Sequence, residues 1–134
     1  MIVVDAAIVV DVLLDISPDV ERVRDRLRRE SWSWAAPALM DAEVAHIVRR
    51  HVLRGELASV AAEAALADLV TMPIQRHSHL PLVQRAFELR DNATIYDALY
   101  LTLAEVLGAK LLTRDAGLAR VPGVSAAVEV IRSG

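Results

Sequence analysis

The sequence predicts an α/β domain, with helices on both faces of a central, mostly parallel sheet of about five strands. Short β-branched or apolar runs alternate with segments of helical periodicity along the whole chain. The first run, Ile2-Val3-Val4, is continuously apolar, as a strand buried on both faces must be. A chain of 134 residues without a linker or low-complexity tract fits a single domain, 1–134, with a core that needs no metal or disulfide staple.

Ile2-Val3-Val4 is strand one, closed by Asp5, and Ala6 to Leu14 is helical. Ser17-Pro18-Asp19 supplies a cap, a first-turn proline and a first-turn acid for a second helix running to about Glu30. Val20, Val23 and Leu27 form its narrow apolar stripe, so Arg22, Arg24, Arg26, Arg28 and Arg29 are expected mostly to face water. Ser31 to Ala36, with Trp32 and Trp34 in alternation, predicts the second strand, ended by Pro37. From Ala38 to Arg54 the pattern turns helical through Met40, Val44, Ile47, Val48 and Val52, with Gly55 as the stop. Glu56 to Val70 is an alanine-rich helix, Thr71 to Gln75 a third strand and Leu80 to Arg90 another helix.

The most informative stretch is Thr94 to Asp115. Ile95 to Leu107 is apolar except at Asp97, Thr102 and Glu105, so this helix packs on more than one side. Thr94 is its expected N-cap and Gly108 its stop. Lys110 to Thr113 is then a short central strand that delivers Arg114-Asp115 to a surface loop. A short helical segment to Arg120, the Pro122-Gly123 turn and an edge strand from Ala126 to Ile131 complete the chain.

In such a fold the carboxyl ends of the strands share one edge with the amino ends of the crossover helices, and ligands bind there. Asp5, Asp97, Asp115 and either Asp41 or Glu43 map to that edge; both of the latter flank the apolar stripe, so periodicity does not choose between them. Each acid alone has a plain reading as a helix cap or first-turn acid. Jointly, four carboxylates in one cleft repel unless protons or cations neutralise them, and an all-oxygen donor set suits Mg²⁺ or Mn²⁺. A metal-dependent phosphate site is the expected chemistry, needing no protein nucleophile.

Composition narrows the alternatives. There is no cysteine, which excludes disulfides and thiolate zinc sites and suits a reducing cytosol. Asp5, Asp11 and Asp15 interrupt the apolar amino terminus, so neither a signal peptide nor a membrane span is expected and the protein reads as soluble and cytoplasmic. Fifteen basic against eighteen acidic residues give a net charge of −3, too little positive charge for a broad nucleic-acid footprint. His77 and His79 are expected at the surface of a polar loop, and His46 and His51 in packing or solvent contact rather than on a metal. A phospho-aspartate phosphatase would want a second aspartate where Ala7 stands, and a receiver domain a lysine after a late strand, where Lys110 instead opens one.

The segments IVVDA, APALMDAE and ELRDNATIYDALYLTLAEVLGAKLLTRD resemble PIN-domain ribonucleases of the VapC toxin type, nearly end to end. The resemblance implies a PIN-like three-layer α/β/α sandwich. It also implies an acidic metal site of Asp5, Glu43, Asp97 and Asp115 with Thr113 in support, deciding for Glu43 over Asp41. Bound Mg²⁺ or Mn²⁺, endonucleolytic cleavage of RNA, homodimerisation and inhibition by a VapB-type antitoxin follow from it as expectations. Where such proteins often carry Ser or Thr two residues after the first acid, this chain has Ala7. The competing reading is a non-catalytic PIN-like regulatory or binding module.

Overall fold

The computed structural model describes residues 1–132. Five strands form one parallel sheet, β1 (Ile2–Val4), β2 (Trp34–Pro37), β3 (Gln75–His77), β4 (Lys110–Thr113) and β5 (Val128–Val130), in the order β3-β2-β1-β4-β5. Six α-helices connect them: α1 (Ala6–Leu14), α2 (Val20–Arg29), α3 (Met40–Leu53), α4 (Ser59–Thr71), α5 (Val83–Glu88) and α6 (Ile95–Leu107). Helix α1 packs against α2, α3 and α4, while α6 packs against α5 and lies across β1, β2 and β4, giving the three expected layers.

β1 sits centrally because all three of its residues are buried. Its register sets Ile2 beside both Trp34 and Lys110, and Val3 beside both Ala35 and Leu111. From β1 the chain winds outward through β2 to β3, returns under α5 and α6, and continues on the other side with β4 and β5. The direction of winding therefore reverses between β1 and β4, the point where parallel sheets open a crevice at their carboxyl edge. Helix α6 is the wall behind it: Ala98 to Ala104 are all buried, Thr94 accepts a hydrogen bond from the Asp97 backbone N–H at 3.1 Å, and Gly108 ends the helix at φ +60°.

Several expected boundaries move. Ser17-Pro18-Asp19 forms a turn ahead of α2, with the Ser17 hydroxyl accepting from the Asp19 N–H at 3.2 Å. The second strand begins at Trp34, since Ser31 and Trp32 turn the chain with positive φ of 54° and 56° and leave Trp32 outside the ladder. Pro37 closes β2 without loss because the N–H of Ala38 donates to the His77 carbonyl, at 2.7 Å. The third strand lies at Gln75–His77, not Thr71 to Gln75, because α4 continues through Thr71 and Pro73 keeps the residues directly after the helix out of the ladder. His77 thus belongs to the sheet and is half-buried, whereas His79 is exposed. Leu80 to Arg90 divides into a 3-10 turn at Leu80–Leu82 and the short α5.

Arg26 departs most from the expected solvated arginine face. It is 6% exposed, and its guanidinium is paired with Glu129 of β5 and with Glu30 at 2.9 Å. A charge so buried needs partners, and two carboxylates from different segments supply them.

Candidate active site at the carboxyl edge

Asp5 follows β1 directly and serves as the N-cap of α1. One oxygen, Oδ1, accepts from the Ile8 N–H at 3.1 Å, and the other accepts a short hydrogen bond from the Thr113 hydroxyl at the end of β4. Thr113 is fully buried, and the same hydroxyl accepts from the Asp115 N–H at 3.0 Å. One hydroxyl thereby ties the ends of the two central strands together. Asp115 is exposed and turns Oδ1 back to the Gly117 N–H at 2.8 Å, capping the 3-10 turn that comes after it.

The flanking helices bring the other acids. Glu43 lies in the first turn of α3, and the buried Tyr100 of α6 donates its hydroxyl to Glu43 Oε1 at 2.6 Å. Tyr100 follows Asp97 by three residues and so shares its face of α6. Asp41, the alternative to Glu43, faces elsewhere. It pairs with Arg76 of β3 at 3.1 Å, and that guanidinium also donates to the carbonyls of Leu69 at 2.8 Å, Met72 at 2.7 Å and Ile74 at 3.1 Å. Asp41 therefore belongs to a clamp that ties α3 to the end of α4 and to β3.

Electrostatically, Asp5, Glu43 and Asp97 form one unit. Burial pushes the Asp5 carboxyl up to about 6, against the lowering effect of Thr113 and Ile8, and the negative charges of Asp97 and Glu43 raise it further. Burial also raises Glu43, followed by the opposing Tyr100 hydrogen bond and the added charge of Asp97. Asp97 is raised by burial and then by Asp115. Burial and the Glu43 hydrogen bond push the Tyr100 phenol far above its ordinary range, so it is a neutral donor.

The four carboxylates predicted from the sequence thus lie along the switch-point edge. Their donor chemistry, oxygen only and mutually repelling, fits a hard divalent cation. Among the described residues, no three carboxylate or imidazole side chains are drawn together tightly enough to enclose a cation. Hydrogen bonds hold one oxygen each of Asp5 and Asp115 to the local N–H groups of Ile8 and Gly117, and tie Asp5 and Glu43 across to Thr113 of β4 and Tyr100 of α6.

Two residues at this edge escape sequence reasoning. Tyr100 is legible through its i+3 spacing from Asp97 but is hidden within an apolar run. Arg114 reaches back from the end of β4 to Asp11, to Ser17 Oγ at 2.8 Å and to Asp19 Oδ2 at 2.8 Å, anchoring the loop that carries Asp115. No local pattern pairs residues so far apart in sequence. His51 bonds Glu56 at 2.7 Å, and His46 is exposed on α3, one turn after Glu43.

Comparison with known proteins agrees with this architecture. The family model of the PIN domain matches residues 2–124. Ribonuclease VapC1 of Mycobacterium tuberculosis is 44% identical over 131 residues, covering 97% of each chain. Ribonuclease VapC3 of the same organism is 41% identical over 119 residues, covering 89% of this chain and 85% of its own. Among solved structures, VapBC2 from Rickettsia felis, bound to a DNA fragment from its promoter, superposes with a TM-score of 0.70 at 15% identity, covering 97% of this chain and 98% of the other. PAE2754 from Pyrobaculum aerophilum superposes with a TM-score of 0.68 at 24% identity, covering 96% and 83%.

Proposed function

The chain belongs to the PIN domain family, and from that premise we propose that it is a VapC-type toxin, an endoribonuclease dependent on Mg²⁺ or Mn²⁺ and inhibited by a cognate VapB-type antitoxin. The single observation that carries the metal-dependent chemistry is the set of Asp5, Glu43 and Asp97, each raised by burial and by a neighbouring acid on one strand-end edge. An acidic edge of this kind repels a phosphodiester unless a cation intervenes.

Asp5, Glu43, Asp97 and Asp115 are the residues that would hold the cation, with Thr113 fixing the orientation of Asp5 and Tyr100 that of Glu43. When bound, the cation supplies charge neutralisation of the phosphate, activation of water and stabilisation of the leaving oxygen. The protein's own part is positional. Asp5 and Asp115 are tied through Thr113 to the two central strands, so their separation is set by the sheet rather than by loops. Tyr100 stays protonated and fixes one Glu43 oxygen, Oε1, by donating its hydroxyl to it. The antitoxin, and a homodimeric assembly, are proposed from the family and from the VapBC2 complex alone.

The test is cleavage of single-stranded RNA by chelator-treated protein with and without added Mn²⁺, with Asp97→Asn beside the parent. Cleavage is expected only with metal and only in the parent. Undiminished cleavage in EDTA by protein verified to be metal-free would overturn the mechanism.

A further inference from the structure

Beside the acidic edge, a groove of about 560 Å³ runs along α3 to the start of α6. Leu39 and Ile47 give it an apolar lining, Glu43 belongs to both the groove and the acid set, and Tyr96 lines it from the start of α6. Tyr96 is 64% exposed, an aromatic ring left in water next to Asp97. Arg50 closes the lining, two helical turns or about 10 Å beyond Glu43 along the axis.

Arg24, Arg26, Arg28, Arg76, Arg85 and Arg114 each hold a carboxylate. Arg50 and Arg54 are exposed and, like Arg29, Arg90, Lys110 and Arg120 elsewhere, carry no side-chain ion pair among the described residues; what sets them apart is place, since with the exposed His46 they stand at successive turns of α3 leading away from Glu43. On a chain of net charge −3, a row of unpaired cations leading away from an acidic site suits an anionic chain that enters the site.

We propose that this groove seats an unpaired nucleobase of the RNA adjacent to the scissile phosphate, stacked on Tyr96, with Arg50 contacting a flanking phosphate. The assignment rests on the ribonuclease reading above. Stacking on an aromatic ring accepts every base, so the groove sets the register of a single strand rather than its sequence. Leu39 and Ile47 add apolar surface beside the seated base, and a paired base, already stacked in a duplex, cannot enter.

Steady-state cleavage of a short single-stranded RNA in Mn²⁺ tests it, with Tyr96→Ala, Tyr96→Phe and Arg50→Ala beside the parent. Tyr96→Ala is expected to raise KM by roughly 5- to 100-fold with kcat retained, and Tyr96→Phe to restore the parental KM, since the ring and not the hydroxyl is used. Arg50→Ala is expected to lower the salt dependence of binding by about one phosphate contact, a slope change near 0.7. A 2-aminopurine at the seated position should be quenched by the parent and by Tyr96→Phe but not by Tyr96→Ala. A parent that cleaves no RNA overturns the ribonuclease reading, and this assignment with it. A parent that cleaves while Tyr96→Ala keeps its KM overturns the nucleobase seat alone, as does a Tyr96→Phe variant no better than Tyr96→Ala. If Tyr96→Ala keeps its RNA KM but loses affinity for the purified antitoxin, the groove belongs to a protein partner and the assignment is wrong.

Discussion

Asp5→Asn is expected to stabilise the chelated protein, although it removes a carboxylate from a capping position within the site. The folded-state pKa of Asp5 is raised from 3.8 to about 6, so the fold binds the Asp5 proton more tightly than the unfolded chain does. The ionised carboxylate therefore destabilises the fold, fully above the folded pKa and not at all below the unfolded one. Integrated between those values, the penalty is about 3 kcal/mol near pH 7 and about 1 kcal/mol near pH 4.5. Asn keeps the cap, since its side-chain oxygen accepts from the Ile8 N–H as well as a carboxylate does. The Thr113 contact becomes a neutral hydrogen bond, a change the penalty already contains because the raised pKa is net of that bond's lowering effect.

The net expectation in EDTA is a melting temperature roughly 9–12 °C above the parent near pH 7, shrinking to about 3–4 °C near pH 4.5. Thermal melts across that pH range, followed by circular dichroism, measure it. Added Mn²⁺ should reverse the order, because a ligand that binds only the folded parent raises its stability and leaves the variant behind. An Asn variant less stable than the parent at both pH values would refute the reasoning: the carboxylate would then act as a simple cap, and burial and neighbouring charge would not govern it.

Asp41 and Glu43 separate in the same assays. Asp41→Asn should leave metal-dependent cleavage intact and cost at most about 1 kcal/mol, because its partner Arg76 keeps its carbonyl acceptors and the pair is partly solvated. Glu43→Gln should abolish cleavage and shrink the Mn²⁺-induced shift in melting temperature; the reverse ranking of the two variants would move the site one helix face over. Thr113→Val removes the hydroxyl between Asp5 and Asp115 and is expected to weaken Mn²⁺ binding by roughly 10- to 100-fold, read by titration calorimetry, with Thr113→Ser largely restoring it. Equal losses in the Val and Ser variants would assign Thr113 to packing alone.

Whatever depends on local pattern was legible in the sequence. The apolar run Ile2-Val3-Val4, the cap at Thr94 and the stop at Gly108 each determine their own conformation, and the structure has them within a residue of expectation. The edge on which Asp5, Glu43, Asp97 and Asp115 fall came from handed, short connections in a parallel sheet. The misplaced elements are those decided by tertiary context. Trp32 has strand propensity but lies in a left-handed turn, and Thr71 extends α4 because Arg76 of β3 donates to the carbonyls at that helix's end. Arg26 reads as surface until Glu129, a residue of β5, is beside it. Helical periodicity left Asp41 and Glu43 open and the family resemblance chose Glu43; in space the two are separated by Arg76 and Tyr100.

The central place of β1 also governs the order in which the molecule can come into being. β1 is made first, yet one of its two neighbours is β4, and Asp5 has no hydroxyl donor until Thr113 has been added. Arg114 closes onto Asp11, Ser17 and Asp19 at the same late stage. During synthesis the amino-terminal half can bury β1 on one side only, against β2, with its other edge open. Of the four acids only Asp5 and Glu43 then exist, without the Thr113 and Tyr100 ties that orient them, and a nascent or truncated chain ending before Lys110 lacks the second strand of the crevice altogether. The geometry of this edge is completed only by a contact between residues near the two ends of the sequence, Asp5 and Thr113, and such long-range closure is slow.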